Sequence, residues 1–195
     1  MPIETTIKLY KYSELTGKAR DKAREKLADW NTDHGWYQFT VDDFTERLES
    51  YGFTNPEINF SGFWSQGDGL SFTSGRIDFD KLWDHLIVSQ PVQRRKKFFI
   101  ENLLVSLVRT NHRYYHERTV STDMDFQYSV FKDEHPRVAE AINEIEEAIE
   151  DLRISLCHTY YKELENEHEY LTSDEAIEEM SSANDYLFDE NGELR

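Results

Sequence analysis

Two short stretches of this chain concentrate side chains that could hold a ligand. The first is Phe60-Ser61-Gly62-Phe63-Trp64-Ser65-Gln66-Gly67-Asp68-Gly69. Four of the eight glycines fall between positions 62 and 75, and glycine serves where the backbone turns with positive φ or passes close to another group. Gly67 and Gly69 around Asp68 would present successive backbone N–H groups, which can form an anion-holding concavity, while Phe63 and Trp64 offer flat surfaces for a base. The same composition also suits a glycine-bearing hairpin turn on an aromatic sheet face. It is not a nucleotide-binding P-loop, because it lacks the closing Lys-Ser/Thr and does not lead into a helix.

The second stretch is Asn111-His112-Arg113-Tyr114-Tyr115-His116-Glu117-Arg118. On a strand, His112, Tyr114 and His116 project from one face, so two imidazoles share a surface with a phenol between them. That row can hydrogen-bond a ligand, or it can be an ordinary exposed strand. Two histidines at i and i+4 could also begin a zinc site, with Asp123 or Asp125 completing it across a hairpin, but a third ligand is not assured. The ligand-binding candidates are Trp64, Ser65, Gln66, Asp68, His112, Tyr114 and His116. No Gly-x-Ser-x-Gly elbow, His-Glu-x-x-His or nucleophile–base pair occurs. No catalytic residue, metal site or cofactor is therefore expected, and binding is favoured over enzymatic activity.

Hydrophobic spacing indicates what must position these residues. Ile7 and Leu9 alternate with Lys8 and Tyr10, which predicts a strand over 5–12. Thr16 can cap a helix with Ala19, Ala23, Leu27 and Trp30 on one stripe, and a second helix runs from about Thr40 to a stop at Gly52. Strands at Glu57–Trp64 and Leu70–Phe79 form a hairpin through the glycine loop. Asp80–Val88 reads as a helix, and Pro91 opens another that continues through Phe98, Phe99, Leu103, Leu104 and Leu107 to Arg109. A second hairpin is expected over His112–Phe131, where Thr122, Met124, Phe126, Tyr128 and Val130 alternate with their neighbours. After Pro136, Val138, Ile142, Ile145, Ile149, Leu152 and Leu156 follow a 4-3-4-3-4 heptad seam that asks for a partner helix, in this chain or in a second copy. A short helix opens at Thr172-Ser173. The predicted class is α+β: a small antiparallel sheet of about five strands, helices on one face, and a long acidic C-terminal helix.

The chain has 195 residues and a net charge of −17, which suits one domain. Residues 1–131, the mixed core carrying both motifs, hold 17 Lys and Arg against 19 Asp and Glu; residues 132–195, an acidic helical segment packed on it, hold 5 against 20. Twelve Phe, 11 Tyr and 4 Trp supply buried area and argue against a disordered acidic chain. The acidity argues against general binding to nucleic acid or anionic membrane, although a local basic patch could still hold one phosphate group. The basic run Arg94-Arg95-Lys96-Lys97 reads as the wet face of a helix or, less simply, as a nucleic-acid patch. Cys157 is the single cysteine, so an intramolecular disulfide and a Cys-based zinc site are excluded, and it reads as a packing residue. Met1–Thr6 has no signal-peptide pattern and no run approaches ~18 apolar residues, so a soluble, unsecreted protein is expected.

The motifs resemble those of a group of tailed-bacteriophage accessory proteins, some labelled antitoxin-like. The likeness covers the leader Tyr10-Lys11-Tyr12-Ser13-Glu14-Leu15-Thr16-Gly17-Lys18-Ala19, the Phe60–Phe72 and His112–Asp125 blocks, and the close Leu171-Thr172-Ser173-Asp174-Glu175, Asn184-Asp185-Tyr186 and Glu190-Asn191-Gly192. Thr73-Ser74-Gly75 carries one residue more than the group's Thr-Gly. The resemblance implies an accessory setting in the host cytoplasm, often one of counter-defence, and gives no residue a role. The expected function is binding of a small anionic or nucleotide-like ligand without catalysis. Two alternatives stand beside it: an acidic DNA mimic occupying a basic host protein, and a metal-dependent hydrolase using His112, His116 and Asp68 or Asp123. A homodimer through the 138–156 helix is a further possibility.

Overall fold

The computed structural model describes residues 7–33, 35–127 and 135–195. Thr5 and Thr6 of the expected first strand, and Tyr128, Val130 and Phe131 of the expected second hairpin, lie outside them, as does the 131/132 boundary. Among the described residues the fold is α+β, with seven α-helices and three antiparallel strand pairs. The chain divides into two units, one of residues 1–38 and 164–195, the other of residues 39–163.

In the first unit, helix α1 (Gly17–Asn31) buries Ala23 and Leu27. They join Tyr12, Leu15, Phe188 and Ile177, the last from α7 (Asp174–Ala183), in one apolar cluster. Thr16 stands at the N-cap of α1 but makes no capping bond through its side chain, whereas Ser173 accepts from the Ala176 N–H and caps α7. The predicted strand over residues 7–12 does not form: a single bridge joins Tyr10 to Phe188. Ile7 and Leu9 have no paired neighbour to alternate against and remain exposed.

The second unit holds both motifs. Helix α2 (Gln38–Ser50) buries Phe44 and Leu48 and stops at Gly52, whose φ of 101° and close approach to the Asp78 carbonyl exclude a side chain. β1 (Phe53–Thr54) pairs with β4 (Arg76–Ile77), and β2 (Glu57–Ser61) with β3 (Gly69–Thr73). Short helices α3 (Phe79–Trp83), α4 (Gln90–Gln93) and α5 (Lys96–Asn102) follow, so the helix expected over 80–88 is one turn only. β5 (Leu103–Arg109) then pairs with β6 (Val120–Phe126).

This last pair corrects two expectations. The run 103–109, expected to continue the helix opened at Pro91, is a strand: Leu103, Val105 and Leu107 are buried while Leu104 and Val108 are exposed, a period-2 pattern. The second hairpin therefore has β5 and β6 as its arms, and residues 110–119 are their connection rather than a strand.

The five-stranded sheet is also not formed. Ser74 exchanges backbone hydrogen bonds with Leu107 at 3.3 and 2.9 Å, which joins β3 toward β5 for one residue. Its hydroxyl lies 3.0 Å from the Thr54 carbonyl and 2.8 Å from that of Arg76. The chain is thereby turned toward β1, and the ladder breaks into pairs.

The long helix α6 (Pro136–Leu171) is present as predicted. Val138, Ile142, Ile145, Ile149 and Leu156 are buried within the chain, so the seam already serves an internal core. Arg153, 1% exposed, is ion-paired with Glu150, whose other oxygen accepts from the Thr122 N–H and hydroxyl. The carboxylate thus occupies an outward donor of β6 and covers part of that strand's open edge. Cys157 is buried beside them, and burial pushes its thiol pKa up to about 12. Among the described residues no helix is long and apolar enough to cross a membrane.

Candidate functional site

The β2–β3 hairpin places the first motif. Ser61 pairs with Gly69, and residues 62–68 fold around the Asp68 carboxylate, which accepts from the Trp64 N–H at 3.1 Å and the Ser65 N–H at 2.7 Å. The anion that the loop amides hold is therefore the chain's own. Tyr161 donates from its hydroxyl to the Gly62 carbonyl at 2.7 Å, and Phe63 packs on the Tyr161 ring, which fixes the loop from the other side.

The β5–β6 connection places the second motif. Asn111 accepts from the Arg113 N–H at 2.8 Å, a side-chain turn that competes with continued strand pairing. His116 then caps a 3-10 turn (Glu117–Thr119), its Nδ1 accepting from the Arg118 N–H at 3.2 Å. An accepting Nδ1 puts the proton of the neutral ring on Nε2. The Thr119 N–H and hydroxyl both donate to the His116 carbonyl, at 3.0 and 2.7 Å, and Arg153 donates to the Glu117 carbonyl at 2.7 Å. The turn is held to α6.

The two motifs meet. A Cβ on Gly67, whose φ is 96°, would lie 2.7 Å from the Tyr114 ring, and a Cβ on Gly69 would lie 2.6 Å from the Cα and Cβ of His116. Glycine at both positions lets the hairpin close on the connection. Between them is a cleft of about 510 Å³ lined by Gln66, Asp68, Tyr114, His116, Glu117 and Arg118. Its size falls within the range of small-molecule sites. The Tyr114 and His116 rings are near-parallel at 6.0 Å, and the Arg113 guanidinium lies 5.2 Å over Tyr114. The Glu117 carboxylate faces Arg118 at 3.5 Å and His158 at 3.9 Å.

Of the seven predicted ligand residues, Gln66, Asp68, Tyr114 and His116 are brought together here. Trp64, Ser65 and His112 are not among the lining residues. Trp64 is 78% exposed, Ser65 contributes its N–H to the loop, and His112 is exposed on the connection, because without a strand the alternation that aligned it with Tyr114 does not apply. Glu117 and Arg118 were not singled out in the sequence, although they stand in the quoted block. Among the described residues no group of three His, Cys, Asp or Glu side chains could hold a metal ion; Asp123 and Asp125 instead border a separate open depression of about 780 Å³ with Leu104 and Ser106.

The fold is that of an α+β protein with a polar cleft of ligand size where two β-hairpins meet. The chain matches a family model described as a domain of unknown function, DUF8835, over residues 36–174, and belongs to that family. The matched span contains the whole cleft. No curated protein and no solved structure matches the chain.

Proposed function

We propose that the protein binds a small anionic or nucleotide-like ligand in the cleft and does so without catalysis. The observation that carries this reading is the closure of Gly67 on Tyr114 and Gly69 on His116, which spends two side chains' worth of space to bring a polar loop against a polar–aromatic turn. The lining suits such a ligand. Tyr114 offers a face for a ring, Gln66 can donate and accept along a base edge, and the carboxylates can accept from hydroxyl or amino groups. Arg118 can pair with an acidic group. Sequestering a nucleotide signal, as a bacteriophage accessory protein acting against host defence in the host cytoplasm, is the most concrete form of this function.

The test is calorimetry of the purified protein against a panel of nucleosides, mono-, di- and cyclic nucleotides. Tyr114→Ala should weaken the ligand found by about 5–150-fold, as loss of a stack worth roughly 1–3 kcal/mol implies. Absence of binding across the panel overturns the reading and leaves the acidic helix, as a DNA mimic, the better candidate.

A further inference from the structure

Beside the Glu117–Thr119 turn, Arg109 closes β5 with a guanidinium that has no carboxylate partner among the described residues. Its Nη1 donates to the hydroxyls of Ser71 at 3.4 Å and Thr119 at 3.3 Å, both long contacts. Its face lies 5.3 Å from the Tyr115 ring centroid, and its Nη2 is buried with no hydrogen-bond partner. Ser71 and Thr119 are themselves buried. Taking a cation out of water against two neutral hydroxyls is unfavourable, and stacking on a phenol offsets only about 0.5–2 kcal/mol of it.

The acids nearby are already engaged. The Asp68 carboxylate holds the Trp64 and Ser65 amides, and Glu117 faces Arg118 and His158. In a chain of net charge −17, residues 109–118 carry Arg109, Arg113 and Arg118 against Glu117 alone. The connection that forms one side of the cleft thus carries a local excess of positive charge, with Asp68 on the other side. One of its cations, Arg109, is half-buried, with Nη2 shielded from solvent, so water screens it less than a surface charge.

Resting on the cleft as a ligand site, we propose that the ligand carries a phosphate group and that Arg109 is the positioning residue that sets the preference for it. Arg118, on the rim, contacts the phosphate. Arg109 does not touch it; it holds the Thr119 turn and supplies the uncompensated charge that the phosphate answers.

The test is calorimetry with base-matched pairs, adenosine with AMP and guanosine with GMP, and with inorganic phosphate as competitor. In the unaltered protein the monophosphate should bind at least about tenfold more tightly than its nucleoside, the size of effect expected from one poorly screened charge. In Arg109→Gln that ratio should fall to about threefold or less while nucleoside affinity stays within about twofold, and Arg109→Lys, which keeps the charge, should retain most of the ratio. Displacement by inorganic phosphate would identify the phosphate as sufficient for recognition; a nucleotide that phosphate does not displace would show that the base is also required, and both results support the proposal. Equal affinity for nucleoside and nucleotide in the unaltered protein overturns it while leaving the binding site standing. So does an unchanged ratio in Arg109→Gln with a native circular-dichroism spectrum. If no probe binds at all, the cleft reading falls with it.

Discussion

Glycine, carboxylate and imidazole each do something at the site that their types alone did not announce. Gly67 is required twice over, once for its φ of 96° and once because Tyr114 occupies the space of a Cβ. Gly67→Ala should therefore destabilise the protein by about 1–3 kcal/mol, measured by urea denaturation. Adding Tyr114→Ala to it should recover only part of that loss, because removing the ring leaves the backbone strain in place. Full recovery in the double variant would show that contact alone, and not conformation, demands glycine. Asp68, by contrast, was expected to stand between the exposed amides of Gly67 and Gly69, and its carboxylate accepts instead from the N–H groups of Trp64 and Ser65. His116 contributes its Nδ1 to the turn before it contributes anything to a ligand.

At the scale of elements, the long helix does two jobs through different residues. Its apolar seam is buried within the chain, with Ile145 and Ile149 fully so. Ile145→Ala should cost about 2–5 kcal/mol, and the thermal midpoint of the unaltered protein should not rise with protein concentration, as it would if the seam were the interface of a dimer.

The polar job belongs to Glu150 and Arg153, which tie the helix to β6 and to the Glu117 turn. Burial alone would raise the Glu150 pKa, but hydrogen bonds from Arg153 and Thr122, with the charge of Arg153, hold it below the ordinary carboxylate value. A carboxyl lowered in the folded state contributes stability that is present above its unfolded pKa, near ~4.3, and is lost as pH falls through its folded pKa. Glu150→Gln should lower stability at pH 7 by about 3–5 kcal/mol, because Arg153 is left buried without its counter-charge. Between pH 5 and pH 3, a range that spans about the ordinary carboxylate titration, the variant should lose less stability than the unaltered protein. Denaturation curves at pH 7, 5 and 3 check both halves of the prediction.

For the whole molecule, the question is whether the acidic third or the cleft is the working surface. Glu163 is a poor probe of this, since it forms a two-point pair with Arg47 at 3.1 and 2.6 Å. Glu140, Glu146, Glu147 and Asp151 are exposed on α6 and are better placed. Changing all four to their amides should leave ligand affinity within about twofold. Affinity in the cleft should also fall far less between low and physiological salt than that of a surface whose charges are screened beyond about 8–10 Å. Loss of the protein's activity in the amide variant, with ligand binding intact, would instead assign function to the acidic helix.

Local chemistry determined much of this protein. The hairpin at the glycine loop, the helix after Pro136, the cap at Ser173, the burial of Cys157 and the α+β class are short-range consequences of turn residues, periodicity and capping, and all were legible in the sequence. Four of the six side chains lining the candidate site were legible too, because Gln66, Asp68, Tyr114 and His116 lie in dense polar motifs. What the sequence could not decide depends on partners distant along the chain. The run 103–109 suits helix or strand until β6 pairs with it. Ser74 ends a would-be larger sheet only because Thr54 and Arg76 offer their carbonyls. Arg109 becomes an unanswered charge only when Ser71 and Thr119 enclose it. Periodicity reports which face of a segment is apolar, whereas only tertiary structure decides what each face meets.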